Sequence, residues 1–145
     1  WRESNLRMEE DIAVTFRRVF LQNFDIYNKY FYDKKAYTRV FRHNGFAIIR
    51  DVPATLIQPT KKKLLKLIDK AKEEIFIETP YFLPSTFLRK SIKDAAQRGV
   101  KVNIIVPKRS DVAVVDILRN KYLAQLTDDN INIYFYIPHN LHSKL

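Results

Sequence analysis

From Phe46 to Ile137, short runs rich in β-branched and aromatic residues alternate with longer runs whose apolar residues recur every three or four positions. The short runs are Phe46–Arg50, Glu74–Thr79, Val100–Val106 and Ile131–Ile137, and the longer ones are Lys61–Lys72, Thr86–Arg98 and Asp111–Leu126. Short apolar runs read as strands and three-to-four spacing as helices, so the expected order is βαβαβαβ. Connections of a few residues between such elements predict an α/β fold, a mainly parallel sheet flanked by helices on both faces. Gly99 stands just past the expected end of the Thr86–Arg98 helix, where its tolerance of the left-handed conformation suits a helix stop. In the Lys61–Lys72 helix, Leu64, Leu65, Leu67, Ile68 and Ala71 are the expected inward residues.

The N-terminal part follows a different pattern. Met8, Ile12, Phe16, Val19, Phe20 and Phe24 predict an amphipathic helix from Met8 to about Phe24, with Glu9, Glu10 and Asp11 in its first turn. The stretch Asp25–Asn44 interleaves Tyr27, Tyr30, Phe31, Tyr32, Tyr37 and Phe41 with Lys29, Lys34, Lys35, Arg39 and Arg42. The preferred reading is a linker helix whose aromatics bury against the domain; the other is a segment lying on an anionic membrane or stacking on nucleic acid. Asn44-Gly45 marks a turn. The chain opens at Trp1 rather than Met and ends at Leu145 inside a strand-like run, so a piece of a longer protein is expected.

Composition narrows the chemistry. The 145 residues contain 26 Lys plus Arg against 16 Asp plus Glu, a formal charge of +10, which suits an anionic partner of either kind, bilayer or nucleic acid. Hydrophobic residues at 46% suffice for a packed core. There is no cysteine, which excludes a disulfide scaffold, a thiolate zinc site and a thiol nucleophile. Only His43, His139 and His142 offer imidazole, so no metal is expected. Nor is there an apolar run long enough to span a bilayer.

In open parallel sheets ligands gather outside the carboxyl ends of the strands. Those ends run into Thr79-Pro80-Tyr81-Phe82, Pro107-Lys108-Arg109-Ser110 and Pro138-His139-Asn140, so a basic and aromatic rim is expected, with Tyr81, Lys108 and Arg109 as binding residues. Ser110 or Asp111 is expected to cap the next helix, whose N-terminal amides favour phosphate. His139 and His43 read as turn residues. The remaining histidine lies in His142-Ser143-Lys144. Residues two apart in a strand point to one side, so imidazole and ammonium project together. Histidine serves as nucleophile or proton donor near neutral pH, and a neighbouring lysine holds phosphate oxygens. An exposed edge-strand pair is the plain alternative.

Several runs together carry a resemblance. They are Ile77-Glu78-Thr79-Pro80-Tyr81-Phe82-Leu83-Pro84, Ala95-Ala96-Gln97-Arg98-Gly99-Val100-Lys101-Val102, Ile105-Val106-Pro107 and Leu141-His142-Ser143-Lys144-Leu145. From Lys63 to Leu145 the chain resembles the second repeat of the phospholipase D superfamily and is most similar to bacterial cardiolipin synthases. Trp1-Arg2-Glu3, Leu6-Arg7-Met8-Glu9 and Val19-Phe20-Leu21 resemble the stretch that follows the first repeat's catalytic motif. The family motif is His-x-Lys, four residues, then Asp; this chain supplies His142 and Lys144. Glu10-Asp11 replaces the usual Gly-Pro, which leaves the subfamily open.

The resemblance implies an incomplete α-β-α sandwich, with residues 1–44 as the tail of a first repeat plus linker and 45–145 as a truncated second repeat. It implies a two-step transfer through a phosphohistidine, with the first-repeat histidine as nucleophile, His142 as acid and base, Lys144 on the phosphate oxygens and no cofactor. The expected partners are an anionic phospholipid resembling phosphatidylglycerol, the surface of a bacterial cytoplasmic membrane, and the first repeat of the same protein. A phospholipase D-type nuclease acting on nucleic acid is the alternative enzyme. A non-catalytic fragment is the alternative for the chain taken alone.

Overall fold

The computed structural model describes residues 2–8, 11–28, 40–51, 58–138 and 141–145. They form two compact units, Trp1–Asn5 with Leu64–Leu145, and Leu6–Lys63.

The larger unit is built on three strands, β3 (Glu74–Glu78), β4 (Lys101–Pro107) and β5 (Ile131–Tyr136), parallel and in the order β3-β4-β5. Ile75 lies beside Val102, and Ile104 beside Ile133. The crossovers are α3 (Thr86–Gln97) and α4 (Ala113–Ala124), preceded by α2 (Pro59–Lys70). Two right-handed crossovers stepping the same way put both helices on one face, and the core sits there. Val102, Ile104 and Val106 of β4 are wholly buried against Ile92, Ala95 and Ala96 of α3, Leu123 of α4 and Ile68 of α2. Ile92, Ala95 and Ala96 fall at the three-to-four spacing of a single helical stripe, and the two alanines leave room for the strand.

Local signals fix the limits of α3. Ser85 caps it, its Oγ accepting the Leu88 amide at 3.3 Å. At the other end Gly99 has φ +87°, and the Gly99 and Val100 amides turn back to the carbonyls of Ala96 and Ala95. The opposite face of the sheet carries Phe76, 62% exposed, and a polar ladder in which Asn132 donates to Asn103 and Asn103 to Glu74.

Residues 141–145 are extended. The His142 and Ser143 amides both donate to the Arg2 carbonyl, and Leu145 exchanges two backbone hydrogen bonds with Glu78, the pattern of an antiparallel pair.

In the smaller unit, α1 (Ile12–Asn28) accompanies an antiparallel hairpin of β1 (Val40–His43) and β2 (Phe46–Ile49). Asn44 and Gly45 both have positive φ, 39° and 84°, as a two-residue hairpin turn of matching twist requires. Arg50 donates to Asn23 and Gln22 of α1, and His43 pairs with Asp11 at 2.7 Å.

Five expectations change. In the larger unit α2, α3 and α4 join one core on a single face of the parallel sheet, not both faces, because the two crossovers step the same way. The strand at Phe46 pairs with Val40–His43 and not with the parallel sheet, because Asn44-Gly45 closes a hairpin at once. His43 therefore ends a strand. The first helix starts at Ile12, so Asp11 precedes it; Glu9 and Glu10, like His139 and most of the aromatic-basic stretch (residues 29–39), lie outside the described residues. Leu64 and Leu67 are 45% and 57% exposed because α2 packs through the narrower stripe of Leu65 and Ile68. Finally, Val112 occupies the N-cap of α4 without a side-chain bond; Ser110 Oγ and Asp111 are engaged elsewhere.

Candidate active site

The site lies at the carboxyl ends of the strands in the larger unit. Leu141 and Ser143 point inward and are buried, while His142 and Lys144 emerge on the other side, as strand alternation requires. Lys144 Nζ stands 3.5 Å from His142 Nε2 and donates to the His142 carbonyl at 2.8 Å.

A strip at the other end of the sequence holds this pair. Arg2 supplies the carbonyl that anchors the His142 and Ser143 amides. Its guanidinium lies over the Tyr136 ring, 5.2 Å from the centroid, and 3.4 Å from the buried Glu78 carboxylate. Ser4 hydrogen-bonds Ser143 through their hydroxyls. Between them, Glu3 Oε1 lies 2.7 Å from His142 Nδ1. An ionised carboxylate only accepts, so Nδ1–H is the donor, and Nε2 is the ring nitrogen turned toward Lys144. The hydrogen bond thus selects the tautomer and orients the ring.

Two loops complete the surroundings. Tyr81, Arg109, Asp111 and His142 line one small cleft, with Pro80, Ser110 and Leu141 in its wall. The Tyr81 hydroxyl donates to Asp111 Oδ1 at 2.5 Å. That hydrogen bond, with burial and the Asp111 charge adding to it, holds the phenol above its ordinary value of 10.0. The loop carrying Arg109 is braced from below. Arg119 of α4, only 2% exposed, donates to the Pro107 carbonyl at 2.7 Å, and pairs with Asp116 at 2.7 Å. Asp116 accepts the Ser110 amide at 3.0 Å.

The structure therefore brings Tyr81, Arg109 and His142 together, with Lys144 beside His142. Lys108 is exposed and outside the cleft; its carbonyl faces Arg119. Sequence reasoning missed Glu3, Asp111 as a wall of the cleft, and the Arg119–Asp116 brace. Glu3 stands 139 positions from His142, so no local pattern links them. Among the described residues no group of three or more His, Cys, Asp or Glu is placed to hold a metal ion, and no helix is long and apolar enough to cross a membrane.

Residues 64–145, which hold the parallel sheet, the cleft and His142, match the family described as cardiolipin synthase, PLD-like domain. The chain belongs to this family. It is 27% identical over its whole length to a Bacillus subtilis protein named probable cardiolipin synthase YwiE, and 29% identical, also over its whole length, to a cardiolipin synthase of Halalkalibacterium halodurans. It is 33% identical over 99% of its length to cardiolipin synthase 2 of Staphylococcus epidermidis. In each case the chain spans about 30% of the relative. The PLD-like assignment agrees with the α/β architecture, a parallel sheet with helices packed against it.

Proposed function

We propose that this chain is the second-repeat portion of a longer phosphatidyltransferase that moves a phosphatidyl group from a phosphatidylglycerol-like donor to an alcohol, at the surface of a bacterial cytoplasmic membrane. Residues 1–44 then belong to the tail of a first repeat and a linker, and 45–145 to the second repeat. The observation that carries the reading is the set Glu3, His142 and Lys144: an oriented imidazole with an ammonium at 3.5 Å, facing an open cleft that also holds Arg109.

In the first step a histidine of the first repeat attacks phosphorus. The P–N bond forms, the P–O bond to the leaving alcohol breaks, and His142 Nε2 delivers the proton to that oxygen. In the second step the acceptor hydroxyl gives its proton to His142 as its oxygen attacks phosphorus and the P–N bond breaks. Lys144 and Arg109 offset the negative charge that develops on the phosphate oxygens. Tyr81 contacts the substrate.

The test offers the full-length protein vesicles containing phosphatidylglycerol and, separately, DNA. Lipid transfer by the wild type, lowered about 10³-fold in His142→Ala with an unchanged melting temperature, is expected. Cleavage of DNA with no lipid turnover, or a variant that keeps most of its turnover, overturns the proposal.

A further inference from the structure

The cleft in front of His142 is divided in character. Arg109 offers hydrogen-bond donors only, suited to phosphate oxygens. The Tyr81–Asp111 pair is the reverse. The phenol proton is committed to Asp111, so what the pair presents is acceptors, the phenol oxygen and the remaining carboxylate lone pairs. Both residues line the same cleft as the imidazole. Acceptors beside a group that moves protons match a ligand rich in O–H and poor in negative charge, because a phosphate oxygen placed there meets a like charge.

We infer that Tyr81 and Asp111 form the subsite for the acceptor alcohol, binding the hydroxyls of a neutral polyol of the glycerol type next to His142. The inference rests on the phosphatidyl transfer proposed above and adds what separates an alcohol acceptor from water. Water needs only the contact with His142. A polyol with one hydroxyl at His142 and a second at Asp111 gains a charge-assisted hydrogen bond that water lacks. The same carboxylate works against a strand of nucleic acid, whose next phosphate it repels.

The experiment measures, in the full-length protein with phosphatidylglycerol vesicles and added glycerol, how much phosphatidyl group goes to alcohol and how much to water. Asp111 is exposed and outside the core, so Asp111→Asn leaves the fold in place. Its transfer-to-hydrolysis ratio is expected to fall about tenfold or more, because a hydrogen bond to a charged group is lost. Asp111→Glu restores part of the ratio, and Tyr81→Phe lowers it less. A wild-type protein that transfers to glycerol while Asp111→Asn keeps the same ratio, or loses transfer and hydrolysis in equal proportion, overturns the inference alone. A wild-type protein that does neither reaction overturns the transferase reading instead.

Discussion

The work of Glu3 is to decide which imidazole nitrogen is available. With Nδ1–H bound to the carboxylate at 2.7 Å, the exchangeable proton of His142 is handled at Nε2, beside Lys144. Glu3→Gln keeps the side chain's shape but offers either an amide donor or a neutral acceptor, so both tautomers become populated. In the full-length enzyme kcat is expected to fall about 10²-fold or more with KM little changed; equal effects on both constants would show that the carboxylate only holds the strip in place. The two-residue spacing of His142 and Lys144 made their common side legible in the sequence. The partner at Nδ1 was not legible, since Glu3 sits in an exposed strip whose role exists only once the chain has closed.

At the scale of elements, the buried Arg119 is the joint between α4 and the loop leaving β4. It donates to the carbonyls of Pro107 and Lys108, and Asp116 neutralises it while taking the Ser110 amide. Arg119→Met removes these bonds and leaves Asp116 without its partner; a loss of about 3 kcal/mol is expected in urea unfolding. A loss below about 1 kcal/mol, as for a surface pair, contradicts the brace. Helix α3 and strands β3 to β5 could be read from the sequence because periodicity and the Gly99 stop agree. The hairpin strand Val40–His43 could not, because it hides in an aromatic and basic stretch whose spacing suits a helix as well, and only the Asn44-Gly45 turn beside it dictates pairing. The exposure of Leu64 and Leu67 shows the same limit: helical spacing marks an apolar side but not how much of it is covered.

For the whole molecule, the excess of positive charge is a statement about partners. Lys108 and Arg109 are both exposed at the rim of the cleft's loop. On the membrane reading, replacing both with Ala weakens binding of the full-length protein to phosphatidylglycerol vesicles by about 1 kcal/mol per residue at low ionic strength. The difference shrinks as salt rises past ~0.15 M, and the unfolding midpoint stays put. Vesicle affinity that ignores both substitutions at low salt counts against that reading. One feature of the architecture reaches further than charge. Because Glu3 and His142 are separated by 139 positions, the ribosome must release almost all of this stretch before the imidazole can meet its carboxylate. Closing so long a loop is slow beside local contacts, so the imidazole gains its orienting group only when these two distant segments have docked.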